Sequence, residues 1–322
     1  MADATAAVEL DGQYRAMREG AGFLDRTERG KLLVRGAEAA GYLQSQLTNE
    51  IEALEPDQGS YAALLDRKGH FVADMRVLPL SGTDDGGIWL DLEASALEPL
   101  RKHLEMYKIG REVEVVDETR DWAITSLIGP RSAETAGTPP LSPEYAQHYY
   151  ERDGIEILAV ATDLGIDLII RPDAAEGLRD QLRTAGAEPV SEEAAEIVRV
   201  ESGRPRFGRD FDGSAMPAEA GVVERAIDFE KGCYIGQEPV ARLHYRGKPN
   251  RRLMGLRLSA PADRGETVRL GDREVGAIGT ACVSPALGPI ALAIVRREAE
   301  AGDRLEVGDG GVTAEVTELP FT

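Results

Sequence analysis

The spacing of apolar residues changes character at Arg246-Gly247-Lys248-Pro249-Asn250. Beyond it, short aliphatic pieces such as LMGLRL, TVRL, EVGAIGTACV, IALAIV, RLEV and TAEVTEL are separated by Gly, Pro and Asp. Regularly spaced short strands of this kind predict a small antiparallel β-barrel. Upstream, the spacing switches between the strand period and the helix period. KLLVRG suits a strand, and Tyr42, Leu43 and Leu47 share one face of a helix over 39–47. GSYAALLDRKGHFVADMRVLPL suits a hairpin reversing at Asp66-Arg67-Lys68-Gly69, where glycine supplies the positive φ of a tight turn. Further strands are expected at 88–92, 112–117, 122–129, 155–161 and 166–170, with helices over 94–106 and near 174–185 and 191–201. The fold class is therefore α+β followed by β, with an α+β region over 1–245 and a barrel domain over 246–322. Thr138, Pro139, Pro140, Ser142 and Pro143 mark a surface loop and not a domain boundary, because strand-like sequence resumes directly after them.

Charge and cysteine usage narrow the function classes. The 322 residues carry 57 acidic against 37 basic side chains, a formal net charge of -20. Such a surface repels phosphates, so direct nucleic-acid binding is not expected. No apolar run is long enough to span a membrane, and Met1 to Gly20, with Asp3, Glu9, Asp11 and Glu19, does not read as a secretory signal. The cytoplasm is the expected location. Cys233 and Cys282 are too few for a disulfide framework, and His70, His103, His148 and His244 complete no metal-ligand spacing, so no protein-bound metal is expected.

The densest unusual segment is Lys231-Gly232-Cys233-Tyr234-Ile235-Gly236-Gln237-Glu238-Pro239-Val240-Ala241-Arg242. Its glycines permit sharp turns, and Pro239 suits the first turn of a helix running towards His244. Cys233 would then lie just ahead of a helix N-terminus, where the dipole and Lys231 would favour thiolate. The alternative is a buried, inert cysteine in a turn. Asp74 falls among Phe71, Val72, Met75 and Val77, where it either enters an apolar surface or points from an edge strand to water. Between Lys231 and Arg252, six cations (Lys231, Arg242, Arg246, Lys248, Arg251 and Arg252) stand against Glu238 alone. This local reversal suits either an anionic ligand or a solvated face.

The pattern K-G-C-aromatic-x-G-Q-E-x-x-x-R resembles that of the YgfZ family of folate-binding proteins, which are similar to the T-protein of the glycine cleavage system. Residues 36–50, Arg199-Val200-Glu201-Ser202-Gly203, Met216 to Gly221, and Gly276 to Ala293 resemble further signatures of that superfamily. The likeness covers nearly the whole chain. It implies two ferredoxin-like α+β subdomains and a C-terminal antiparallel β-barrel around a central cavity, with tetrahydrofolate as cofactor. Glu201 matches the T-protein's pterin-binding glutamate and Asp74 its functional aspartate. The resemblance thus makes Asp74 and Cys233 the catalytic candidates, and Asp74, Glu201 and Arg242 the folate-binding ones. A carboxylate in an apolar cavity would have its pKa raised and could hold a proton near neutral pH. The cysteine motif stands where aminomethyltransferases carry a cysteine-free sequence. That difference implies a YgfZ role, supporting the maturation or repair of iron-sulfur enzymes, including enzymes that modify tRNA. The alternative is a folate-dependent aminomethyltransferase or demethylase, which retention of Asp74 leaves open.

Overall fold

The computed structural model describes residues 2–80 and 87–321. Two compact units divide the chain, one comprising 1–65, 72–192 and 225–235, the other 66–71, 193–224 and 236–322. The second unit holds the barrel together with segments that lie before the sequence boundary drawn at 245/246. Among the described residues, no helix is long and apolar enough to cross a membrane.

The first unit runs α1 (Ala2–Glu19), β1 (Gly22–Asp25), β2 (Gly30–Arg35), α2 (Ala39–Gln46), β3 (Ser60–Leu65), β4 (Phe71–Pro79), β5 (Ile88–Leu92), α3 (Ala94–Tyr107) and β6 (Glu114–Asp117). It continues through β7 (Ala123–Ile128), α4 (Ser132–Ala136), β8 (Gln147–Arg152), β9 (Ile155–Ala161), β10 (Gly165–Ile170), α5 (Ala175–Thr184) and β11 (Glu188–Pro189). The strands form a six-stranded sheet, ordered β11-β1-β7-β10-β9-β8, and a five-stranded sheet, ordered β3-β4-β5-β2-β6.

Strand parity decides what each face buries. Ile166, Leu168 and Ile170 of β10 pack with Leu178 and Leu182, which stand one turn apart on α5. Ile169 of the same strand joins Ile124, Leu158 and Val160 in a second cluster that includes Leu33, Leu78 and Trp89 of the other sheet. Asp74, Arg76 and Leu78 alternate along β4, so period 2 puts them on one face, the face that packs on the six-stranded sheet.

Charge enters that interface in paired form. The Arg76 guanidinium donates to Asp91 at 2.5 Å and to Asp167 at 2.5 Å, while Ser126 donates to the other Asp167 oxygen at 2.5 Å. Arg29 donates to Asp91 as well, at 2.9 Å. Burial by itself would raise the Asp91 carboxyl, but Arg29 and Arg76 hold it below its ordinary value.

The second unit contains α6 (Glu192–Glu201), part of α7 (Val223–Ala226), α8 (Gln237–Arg246) and six strands: β12 (Arg251–Leu258), β13 (Thr267–Leu270), β14 (Arg273–Ser284), β15 (Gly288–Arg296), β16 (Arg304–Val307) and β17 (Val312–Thr317). They close as a barrel in the order β12-β15-β14-β13-β16-β17. Closure removes the exposed edges that an open sheet of such short strands would present. Met254, Leu256, Val268, Val275, Ile278 and Val295 are among the side chains that fill it. Gly276 is required in β14, since a Cβ there would stand 2.4 Å from the Ile294 carbonyl oxygen.

Candidate functional site

Asp74 is buried, at 8% exposure, so the water-facing alternative does not hold. The hairpin that carries it turns as the sequence predicts. The Gly69 N-H donates to the Asp66 carbonyl at 3.0 Å with Gly69 at φ 81°, and Asp66 Oδ1 accepts from the Lys68 and His70 N-H groups. That reversal sets β3 beside β4, and the Tyr61 hydroxyl on β3 donates to Asp74 Oδ2 at 2.5 Å. Burial lifts the Asp74 carboxyl to about 6; the Tyr61 hydrogen bond pulls against this and the charge of Glu93 adds to it. Arg225 fixes the tyrosine in turn. Its guanidinium lies 4.7 Å from the Tyr61 ring centroid, and its Nη2 donates to Glu144 at 2.9 Å and to the Tyr145 hydroxyl at 2.7 Å.

In the cysteine motif, the flanks are anchored and the thiol is displayed. Lys231 Nζ donates to the carbonyls of Gln44, Leu47 and Asn49 at 2.8, 2.7 and 2.6 Å. The ammonium therefore ties this segment to the C-terminal end of α2, where carbonyls lack intrahelical partners. Its three donors are engaged by neutral carbonyls, and burial lowers it to about 8. Tyr234 is also buried, whereas Gly232 and Cys233 between the two anchors are exposed. The inert, buried alternative fails for Cys233. It describes Cys282 better, which is partly buried and pushed up to about 12, first by burial and then by the nearby Glu201 charge.

Gly236 follows at φ 84° and caps α8, whose first turn holds Gln237, Glu238 and Pro239. Arg242 stands exposed on this helix, as do Arg246 and, beyond its end, Lys248. The six-cation run is not one free patch, however. Besides Lys231, Arg251 is paired with Glu219 at 2.9 Å and donates to the Ser214 carbonyl, and Arg252 donates to the Ala299 carbonyl at 3.3 Å. Half of the run holds the fold together.

Glu201 ends α6 and is buried rather than solvated. Its Oε1 accepts from the Ser284 hydroxyl at 2.5 Å, and its backbone carbonyl accepts from the Phe321 N-H at 3.1 Å. Arg199, two residues earlier, faces other partners: Glu196 at 2.7 and 2.8 Å, Asp210 at 2.7 Å and Thr280 at 2.9 Å. Burial would raise the Glu196 carboxyl, but Arg199, with Arg206 and Arg209, lowers it to about 2.

Sequence reasoning missed Tyr61, Arg225 and Ser284. Tyr61 was within reach, because it and Asp74 stand equally far from the reversal at 66–69. Ser284 and Arg225 carry no local signal, since their partners lie 83 and 81 residues away.

Two family models match the chain. Residues 4–231 match the GCVT N-terminal domain, and residues 251–322 match the glycine cleavage T-protein C-terminal barrel domain. An aminomethyltransferase of Rubrobacter xylanophilus is 28% identical over 324 residues, covering 97% of this chain and 86% of that protein. One from Thermotoga neapolitana is 29% identical over 330 residues, covering 96% and 88%. The crystal structure of glycine cleavage system aminomethyltransferase T from Bartonella henselae superposes with a TM-score of 0.85 at 20% identity, covering 97% of this chain and 89% of that one, which shows the fold. With both of its characteristic domains matched in order, and the first spanning more than half of its length, the chain belongs to the glycine cleavage T-protein family.

Proposed function

We propose that this protein binds tetrahydrofolate and, through Cys233, acts in the YgfZ manner to support iron-sulfur enzymes, those that modify tRNA among its clients. The observation that carries the reading is the exposed thiol held between two buried anchors, Lys231 and Tyr234. A segment pinned on both sides presents its sulfur at a fixed place on the surface, which suits transient ligand or redox chemistry with a partner.

The residues fit a reduced pterin by the chemistry of their donors and acceptors. A pterin needs acceptors for its ring N-H and amino group, and the second unit supplies a buried carboxylate, Glu201, with one oxygen held by a hydroxyl. Glu201 is assigned to the pterin donors. Arg242, an exposed cation on α8, is assigned to the anionic glutamate tail. When bound, tetrahydrofolate supplies nitrogens that carry one-carbon units.

Complementation tests the thiol role. In a host lacking its own YgfZ-type protein, wild type is expected to restore the activity of iron-sulfur enzymes and Cys233→Ala to fail. Equal restoration by both would overturn the reading. Calorimetric titration with tetrahydrofolate tests the ligand, and no heat at high micromolar concentration would count against it.

Asp74 favours a second reading, folate-dependent one-carbon transfer of the aminomethyltransferase kind named for the relatives. A carboxyl near 6 both takes up and releases a proton close to neutral pH, and Tyr61 holds it in place. Incubation with tetrahydrofolate and candidate amine donors should then yield a one-carbon folate with wild type and none with Asp74→Asn. Equal background from both proteins would remove this reading.

A further inference from the structure

We infer that Ser284 is a positioning residue: it fixes the acceptor geometry of Glu201 and so makes the second unit selective for a ligand edge that presents two parallel N-H donors. The inference rests on the proposed folate reading, in which that edge is the ring N-H and 2-amino group of the pterin.

The direction of the Ser284 proton follows from counting. A serine hydroxyl has one hydrogen to donate and two lone pairs to accept with. Ser284 Oγ accepts from the Ala286 N-H at 3.0 Å and from the Leu287 N-H at 2.9 Å, which uses both lone pairs. The contact with Glu201 Oε1 at 2.5 Å can therefore run only one way, with Ser284 donating. Glu201 Oε1 is an obligatory acceptor there.

That bond also removes a freedom that glutamate otherwise keeps. The terminal torsion of a glutamate is broad, so an unsupported carboxylate rotates about its last bond and aims its lone pairs poorly. Ser284 is itself rigid. It is 2% exposed, it ends β14, and it pairs with Gly288 at the start of β15 across a tight reversal where Gly288 takes φ 75°. On the other side of Glu201, the Phe321 N-H holds the backbone carbonyl at 3.1 Å. With its backbone and one oxygen fixed, the carboxylate has a set plane. Two parallel donors gain from such a plane more than one donor does, because both bonds need the same orientation.

The test is calorimetric titration of the full chain with tetrahydrofolate and with its 2-desamino analogue, which lacks one of the two donors. Ser284→Ala is expected to weaken tetrahydrofolate about tenfold while leaving the analogue within about twofold of wild type. Ser284→Cys keeps the volume with a weaker donor and is expected to fall between, which covers the case of an alanine variant that folds poorly. Equal weakening of both ligands would show that Ser284 merely holds the turn and would overturn the proposal. So would unchanged tetrahydrofolate affinity in Ser284→Ala when Glu201→Gln binds weakly. If Glu201→Gln itself binds tetrahydrofolate like wild type, the failure lies in the folate reading at Glu201, and the role of Ser284 falls with it.

Discussion

Replacing Asp74 by asparagine should make the stability of the first unit gain on wild type as pH rises. The folded carboxyl is raised from 3.8 to about 6 because burial penalises its charge. The folded state thus binds this proton more tightly than the unfolded chain does. The resulting stabilisation is complete below the unfolded value and is lost as pH rises through about 6. At about 1.4 kcal/mol per pH unit, ionised Asp74 costs about 3 kcal/mol at pH 8 and about half of that at pH 5. Asparagine still accepts from the Tyr61 hydroxyl but never ionises. Its amide needs a partner of its own, a cost that does not change with pH, so the informative quantity is the pH dependence of the difference. Asp74→Asn minus wild type should grow by about 1.5 kcal/mol between pH 5 and pH 8. Urea unfolding followed by tryptophan fluorescence reads this unit selectively. The chain has two tryptophans, and both, Trp89 and Trp122, lie in the first unit with rings packed edge to face at 5.2 Å. Curves that stay parallel across this range would refute the reasoning, because an exposed or ordinary carboxyl would leave no such gap.

Three further outcomes are expected. Glu196, lowered from 4.5 to about 2, contributes stability that is present above 4.5 and lost as pH falls towards 2; Glu196→Gln should therefore cost about 3 kcal/mol at pH 7 and clearly less at pH 3, read by urea unfolding with circular dichroism. Arg76→Met leaves the buried Asp167 without its guanidinium and should cost about 3–5 kcal/mol, part of which Asp167→Leu in the same chain should restore, by tryptophan-monitored unfolding. Iodoacetamide on the native protein should give a single adduct, at Cys233, with Cys282 modified only after denaturation, as peptide mass spectrometry would show.

The strands and helices legible in the sequence are those whose apolar period is clean. β10, GIDLII, and α5, with Leu178 and Leu182 one turn apart, are of this kind. β8 escaped notice because QHYYER offers rings and charges instead of aliphatic residues, and its burial alternates without a strongly apolar face. β1, four residues long, is too short for a period to show. In the site, alternation placed Asp74 on a strand but could not say which way it faced; that depends on the second sheet, packed on the same face of β4. The anchoring of Lys231 was hidden for a different reason. Its closeness to Cys233 in sequence suggested an electrostatic partner, while the carbonyls that hold it are 182 to 187 residues away.

The charge balance of the chain sets what its proposed ligand chemistry must look like. A net charge of -20 raises the free energy of an anion anywhere near the surface, so an anionic tail is best met by cations that stand clear of acidic neighbours. Arg251 is engaged by Glu219, Lys231 by the carbonyls around it and Arg252 by the Ala299 carbonyl, leaving Arg242, Arg246 and Lys248 as the exposed cations of that segment. Their contribution would be screened by salt, because exposed charges interact weakly beyond about 8 Å at physiological ionic strength. Buried acceptors are not screened in this way. Glu201, gripped by the Ser284 hydroxyl at 2.5 Å, would as the proposed pterin acceptor discriminate by donor geometry at any ionic strength. Folate affinity in this chain should therefore split into two parts. Shortening the glutamate tail should remove a salt-sensitive part that Arg242→Ala also removes, and the part that remains should depend on Glu201. A remainder that still falls steeply with added salt would mean that cations, not buried acceptors, hold the pterin.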